Sequence, residues 1–196
     1  MAAMTASHQR IEPLIRTELT NGGVLLRPPT LVDVPAVTAA CQDPAIAAWT
    51  TVPSPYATAD AVFFVEQLSD NGWAAGTTAT FVVVDPADGG LLGACGLGGI
   101  DRTHGRGEIG YWTSAAARRR GVATASVRLV CAWAFDHVGL ARVDWRAFAG
   151  NAGSLRVAEQ CGFILEGTLR SSLCHRGARR DEWIGGVLPA ELRRAG

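Results

Sequence analysis

A chain of 196 residues with 48% apolar content fits a single domain with a core of ordinary size. Its 18 basic and 18 acidic residues cancel, which argues against a general nucleic-acid or membrane-surface binder while leaving local clusters able to select anions. All 18 basic residues are arginine, so a Schiff-base lysine and a Walker phosphate-binding lysine are both excluded.

Met1 to Asn21 shows no sustained period and reads as a loose lead-in to a domain spanning 22–190, with 191–196 as a short tail. Val24 to Arg27 has strand character and is stopped by Pro28-Pro29; Thr30 and Asp33 are then spaced as a capping box for a helix through Cys41. A proline-bearing loop follows. Thr58 is placed to cap a second helix, whose Val62, Phe63, Val65 and Leu68 are partly amphipathic and which is expected to end near Asn71-Gly72. Phe81 to Val84 and Leu91 to Ile100 read as antiparallel strands around a turn at Pro86 to Gly90, and Gly107 to Thr113 as the next strand.

Arg118-Arg119-Arg120-Gly121-Val122-Ala123-Thr124 then joins that strand to a helix with no charge before Arg128. Gly121 permits a tight turn and close backbone approach, Ala123 keeps the wall low, and the first N–H groups of the helix point outward at its positive dipole end, which makes an anion cradle suited to a diphosphate. A solvated basic loop before an ordinary helix is the competing reading. Ala123, Val127, Val130, Cys131, Ala134, Phe135 and Val138 form the apolar stripe of the helix, and Gly139 stops it. Arg142 to Phe148 reads as a strand, Ser154 to Cys161 as a helix, Phe163 to Arg170 as a strand and Trp183 to Leu188 as the last, across a loop rich in basic residues. This order predicts one α/β (α+β) domain with a mixed, mostly antiparallel central sheet flanked by helices; a dinucleotide-binding fold is excluded, since G-x-G-x-x-G and its acidic ribose ligand are absent.

The apolar runs fall far short of the roughly 20 residues needed to cross a bilayer, and no basic segment followed by an apolar block opens the chain, so a cytoplasmic protein without a membrane partner is expected. Cys41, Cys95, Cys131, Cys161 and Cys174 are scattered, with no C-x-x-C pair and no histidine spacing for zinc; reduced core residues and no metal are expected.

The pattern Arg118-x-x-Gly121-x-Ala123 resembles the R/Q-x-x-G-x-G/A coenzyme A signature of the Gcn5-related N-acetyltransferases (GNAT). Asn151-Ala-Gly-Ser154, Gly162-Phe163 and Glu166-Gly167 together resemble the N-x-x-S…GF-x-x-EG run of the RimJ/RimL branch, and the likeness spans about Val24 to Leu188. It implies a GNAT-type sheet, acetyl-CoA as co-substrate, and direct attack of a primary amine on the thioester. The acceptor is then a protein or peptide N-terminus or a small-molecule amine, and a homodimer is possible. By the same resemblance, Arg118, Arg119, Arg120, Gly121, Val122, Ala123 and Thr124 hold the pyrophosphate, mainly through backbone groups, and Tyr111, Trp112 and Thr113 hold the pantetheine arm.

Three catalytic candidates follow from it. Glu108, ahead of the cradle, is the candidate base; pairing with Arg106 or Arg102 at the sheet surface is the other reading. The glutamate that RimL-type enzymes carry seven residues beyond the EG pair is here Leu173. No tyrosine follows Tyr111, so Ser154 is the candidate donor toward the coenzyme sulfur, with Asn151 near the pantetheine or acyl carbonyl; both residues also suit a plain helix cap. Trp49, Tyr56 and Trp73, with Pro53 and Pro55, are candidates for the acceptor wall, although tryptophan is normally mostly buried. His104 and His175 show no ligand spacing, and His137 suits a helix C-terminus. A catalytically weak acyl-CoA-binding module stays open, as does a succinyl or other acyl transferase using Arg102, Arg106, Arg170 or Arg176 against a second carboxylate.

Overall fold

The computed structural model describes residues 12–194. Eight strands form one sheet in the order β1-β2-β3-β4-β5-β6-β8-β7. They are β1 (Leu19–Thr20), β2 (Leu25–Arg27), β3 (Ala79–Val84), β4 (Leu91–Asp101), β5 (Arg106–Thr113), β6 (Arg142–Phe148), β7 (Ile164–His175) and β8 (Ala178–Val187). Every pairing is antiparallel except β5 with β6. The helices are α1 (Val34–Ala40), α2 (Pro44–Trp49), α3 (Thr58–Phe63), α4 (Asn71–Ala75), α5 (Val122–Trp133) and α6 (Ala152–Cys161); a π-helical turn at Phe64–Asp70 joins α3 to α4, and another at Ala134–Val138 prolongs α5. This is the expected mixed, mostly antiparallel architecture.

Alternation along β3 shows how the sheet divides the core. Phe81 and Val83 join the larger cluster with Val127, Val130 and Cys131 of α5, whereas Val82 and Val84 join a second cluster with Val37, Ile46 and Ala61 from α1 to α3. In the first cluster Trp73, Phe81 and Trp133 meet with ring centroids 5.2 to 5.8 Å apart.

Five local expectations need correction. Residues 1–11 of the expected lead-in lie outside the described residues, but from Leu14 the chain already belongs to the domain: Leu14 is buried, its N–H donates to the Trp73 carbonyl, and β1 pairs with β2. At the other end Leu192 is buried and the Arg193 N–H donates to the Cys161 carbonyl, so the tail is docked through residue 194. The proline-bearing loop contains α2, capped by Asp43. The second predicted helix starts after Ala57, whose N–H donates to Asp60, and passes through Asn71-Gly72 to stop at Gly76, φ 70°. Gly72 is a packing glycine there, since a Cβ would lie 2.7 Å from Thr78 Cβ. The basic loop before the last strand is instead the β7–β8 hairpin, turned at Arg176 (φ 50°) and Gly177 (φ 78°), two left-handed residues that match the right-handed twist of the flanking strands.

The predicted Thr30/Asp33 contact is present and larger than a cap. Asp33 accepts from the Thr30 N–H at 2.7 Å and from both terminal nitrogens of Arg27 at 2.8 and 2.7 Å. Burial alone would raise the Asp33 pKa, but the Arg27 and Thr30 hydrogen bonds outweigh it and hold the carboxyl below its ordinary value. Asp33→Asn is therefore expected to cost about 3 kcal/mol at pH 7 by leaving Arg27 without its partner. Because the folded-state pKa is depressed, the wild-type advantage is present above the unfolded carboxyl value near 3.9 and is lost as pH falls through the lower folded value. Denaturant melts of both proteins from pH 7 downward check this.

Candidate active site

The parallel ladder between β5 and β6 runs from Arg106↔Arg142 to Ile109↔Trp145 and then ends. Beyond it β5 stays paired with β4 as far as Gly93↔Thr113, and β6 stays paired with β8 as far as Phe148↔Glu182, so the two halves of the sheet part. Gly110 to Thr113 and Arg146 to Phe148 face each other across a cleft of about 1050 Å³. The gap passes through the sheet. Tyr111 stands on the side of α5 and α6, while Glu108, Gly110 and Trp112 alternate to the side of α1 to α3.

On the first side lies the start of α5. Gly121 caps the helix at φ 76°, and an added Cβ would meet nothing within 4 Å, so the backbone there borders open space. Gly121, Val122, Ala123 and Thr124 all line the cleft, and the leading N–H groups of the helix have no partner within it. These residues fit a diphosphate. The three arginines do not act together. Arg118 lines the cleft but is ion-paired with Asp43, Arg120 pairs with Asp85 at 3.6 Å and is not in the cleft wall, and Arg119, at φ 63°, is the one in the wall without an ion pair among the described residues. Arg156, on α6, adds a cation to the wall that sequence reading missed.

Asn151, Ser154 and Val157 line the facing wall. Asn151 Oδ1 accepts from the Ser154 N–H at 3.0 Å, so the cap reading holds for that oxygen. The Ser154 hydroxyl is held twice more: Trp145 Nε1 donates to it at 3.1 Å, and the Tyr111 hydroxyl lies 2.9 Å away.

On the second side Glu108 is about half exposed and pairs with Arg146 Nε at 3.2 Å rather than with Arg106 or Arg102. The parallel register accounts for this, since Arg146 lies two residues beyond Asp144, the β6 partner of Glu108, on the same face. Arg146 Nη1 also contacts Glu182 at 3.1 Å, and Glu182, buried on β8, accepts from Ser172 Oγ at 3.0 Å. Desolvation raises the Glu108 pKa, Arg146 opposes this, and Glu182 and Asp144 add to the rise. Glu182 had no motif to mark it; only the β6–β8 pairing brings it into the wall.

Trp49, 40% exposed, lines this mouth with Thr50, Thr51 and Leu173. Tyr56 and Trp73 do not line the cleft. Tyr56 is buried in the second cluster and Trp73, 1% exposed, sits in the aromatic group of the first, so both are core residues. Arg102, Arg106 and Arg170 are likewise absent from the wall, and Arg176 donates to the carbonyls of Ala47 and Val52, docking the β7–β8 tip beside α2. The arginines invoked for a second substrate carboxylate are thus elsewhere. Among the described residues no group of three or more His, Cys, Asp or Glu is placed to hold a metal ion, and no helix is long and apolar enough to cross a membrane.

Residues 24–164 match the family model described as the Acetyltransferase (GNAT) domain, and the chain belongs to the GNAT acetyltransferase family. Among curated proteins it is 36% identical over 94 residues to "Putative ribosomal N-acetyltransferase YdaF" of Bacillus subtilis, a match covering 48% of this chain and 51% of that one. It is 35% identical over 80 residues to "Probable N-acetyltransferase YjcK" of the same organism, covering 41% and 44%. The chain thus spans about half the length of the curated relatives it matches. In fold it is similar to Mycobacterium smegmatis RimJ in complex with CoA-disulfide, with a TM-score of 0.84 at 23% identity, covering 94% of this chain and 93% of the other. RimL, the ribosomal L7/L12 α-N-protein acetyltransferase, in complex with coenzyme A gives 0.81 at 16% identity, covering 88% and 98%.

Proposed function

We propose that the protein transfers the acetyl group of acetyl-CoA to a primary amine, foremost the N-terminal α-amine of a protein or peptide. The observation that carries this reading is the through-going gap between β5 and β6, with a helix N-terminus at one mouth and Glu108 at the other. Such a gap lets a thioester arrive from the α5 side and an amine from the Trp49 side, so the reactants meet between the two strand edges. Gly121 to Thr124 and Arg119 hold the diphosphate, and Tyr111 to Thr113 hold the pantetheine arm by backbone groups. The names of YdaF and RimL support a ribosomal-protein acceptor.

The neutral amine attacks the thioester carbon, the C–S bond breaks, the surplus ammonium proton passes to Glu108 directly or through water, and the sulfur takes up a proton. Holding the two reactants together supplies up to about 7 to 11 kcal/mol of the barrier, so positioning outweighs acid–base help. An α-amine of pKa near 7.7 to 8.0 is about a tenth to a fifth neutral at pH 7, whereas a lysine amine near 10.4 is neutral in well under a thousandth. A glutamate partly neutralised by Arg146 suits the first acceptor better.

Thiol release from acetyl-CoA across dipeptides, polyamines and aminoglycosides tests the reading. Release with free α-amines of dipeptides, at rates well above background hydrolysis, is expected. Tight acetyl-CoA binding with no amine-dependent release would leave a binding module instead.

A further inference from the structure

We propose that Trp145 and Tyr111 are positioning residues that turn the hydroxyl proton of Ser154 into the cleft, toward the sulfur that departs in the transfer; the role rests on the acetyl-CoA reading above. Neither residue has been given this part by any motif: Tyr111 is named only with the pantetheine arm, and Trp145 not at all.

Donors and lone pairs around Ser154 Oγ decide where its proton goes. A serine hydroxyl has one proton and two lone pairs, and an indole N–H can only donate. Trp145 Nε1, at 3.1 Å, therefore occupies one lone pair of Ser154 Oγ. The Tyr111 hydroxyl, at 2.9 Å from Oγ, is 3.2 Å from the Ser154 carbonyl oxygen. That carbonyl belongs to the first turn of α6, where the helical i→i−4 pattern gives it the Ala158 N–H as one partner. The carbonyl's second lone pair is also within reach of the Tyr111 O–H, but the phenol has a single proton and Oγ is the nearer acceptor, so that proton goes to Oγ, where it fills the second lone pair. Ser154 is then left with its own proton and a single place to spend it, the cleft that it lines. Its backbone N–H is fixed on Asn151, and turning the hydroxyl away would lose both the Trp145 and the Tyr111 contacts.

The two donors come from the two strands, Tyr111 from β5 just beyond the last shared rung and Trp145 from β6 at that rung, and Ser154 reaches them from α6. The hydroxyl therefore sits where the strands part. Burial raises the Tyr111 pKa well above its ordinary value, with Ser154 and Trp145 opposing, so the phenol keeps its proton and remains a donor in mildly alkaline solution. Ser154 likewise keeps its proton: the hydrogen bond steadies negative charge on sulfur as the C–S bond opens, and the final proton reaches sulfur from water.

Calorimetry with coenzyme A and desulfo-coenzyme A tests this without turnover. Between pH 7 and 9.5 an alkyl thiol such as that of cysteine, pKa about 8.5, ionises, and a hydrogen bond to a charged acceptor is worth roughly twice a neutral one. The preference for coenzyme A over its desulfo analogue is expected to grow about 10-fold over that range in the wild type and to stay flat in Ser154→Ala, Trp145→Phe and Tyr111→Phe. Trp133→Phe removes an indole of similar burial outside the cleft and is expected to keep the full pH-dependent gain, which separates lost positioning from a loosened core. In turnover, Trp145→Phe should lower kcat with little change in KM for acetyl-CoA, and should add nothing in a Ser154→Ala background. Retention of the full gain by Trp145→Phe and Tyr111→Phe, or its absence from the wild type, overturns the inference. A wild type that shows the gain but acetylates no amine overturns the proposed function and leaves the positioning role intact.

Discussion

Gly121→Glu is expected to lower acetyl-CoA affinity by more than about 100-fold, with acetyl-pantetheine, which lacks the diphosphate, bound as before. Two effects are separable here. At φ 76° any side chain strains the backbone by about 1 to 2 kcal/mol, a cost that Gly121→Ala shares. Space is no obstacle, because a Cβ at this position meets nothing within 4 Å, and the glutamate extends into the cleft that Gly121 borders. Its charge then decides the outcome. A carboxylate about 5 Å from a phosphoryl charge, at an effective dielectric constant near 20, is repelled by about 3 kcal/mol, which alone is roughly 100-fold in affinity. The same carboxylate also takes up the positive end of α5 that would otherwise face the ligand. Calorimetry with both ligands, on Gly121→Ala and Gly121→Glu side by side, measures each effect. Equal loss for the ligand without a diphosphate would mean that the substitution had merely deformed the site, and unchanged acetyl-CoA affinity would place the phosphates elsewhere.

The parts of this molecule that could be read from the chain are those with one local cause. The stripe from Ala123 to Val138 makes a helix wherever it packs, and Gly121 before it needs its left-handed φ whatever lies outside. What escaped reading depends on neighbours distant in sequence. Gly72 looks like a stop because its packing against Thr78 is invisible, and Gly76 four residues on takes that duty. Ser171 to Arg180 reads as a charged loop because both faces of an edge strand at the sheet margin are solvated, which erases the alternation that marks strands. Arg118 and Arg120 look like phosphate ligands until Asp43 and Asp85 come into view, contacts that span 75 and 35 residues of chain. Tyr56 and Trp73 fail as cleft residues for the same reason, since which side of the sheet an aromatic covers is set by how α1 to α4 fold back over it. Glu182 enters the wall only because β8 is inserted between β6 and β7, and Trp145 joins the site only through Ser154 of α6, which it meets at the last rung that β5 and β6 share.

Glu108→Gln, which keeps the shape of the side chain and removes its basicity, is expected to lower kcat/KM for acetylation by about 100-fold while acetyl-CoA affinity is unchanged. Were Glu108 only a surface partner of Arg146, the loss would be at most the worth of a half-exposed ion pair, about 1 kcal/mol of stability, with no effect on turnover. The direction of its pKa makes the two readings distinguishable. Desolvation pushes the carboxyl up, Arg146 pulls it down, Glu182 and Asp144 push up again, and the net rise brings its titration closer to neutral pH. A base works above its own pKa, so the wild-type rate should fall as pH drops through that value, on top of the fall caused by protonation of the acceptor itself. The glutamine variant should show the acceptor limb alone. Acceptor choice sharpens the contrast, because a lysine amine needs its proton removed far more often than an α-amine does at pH 7. The ratio of α-amine to lysine-amine turnover should therefore rise in Glu108→Gln, and Glu182→Gln, which leaves Arg146 wholly to Glu108, should move the acid limb to lower pH without abolishing turnover. A pH–rate profile on one dipeptide and one Nα-blocked lysine, for the wild type and both variants, measures all of these. An acid limb that persists unchanged in Glu108→Gln would assign the proton transfer to solvent.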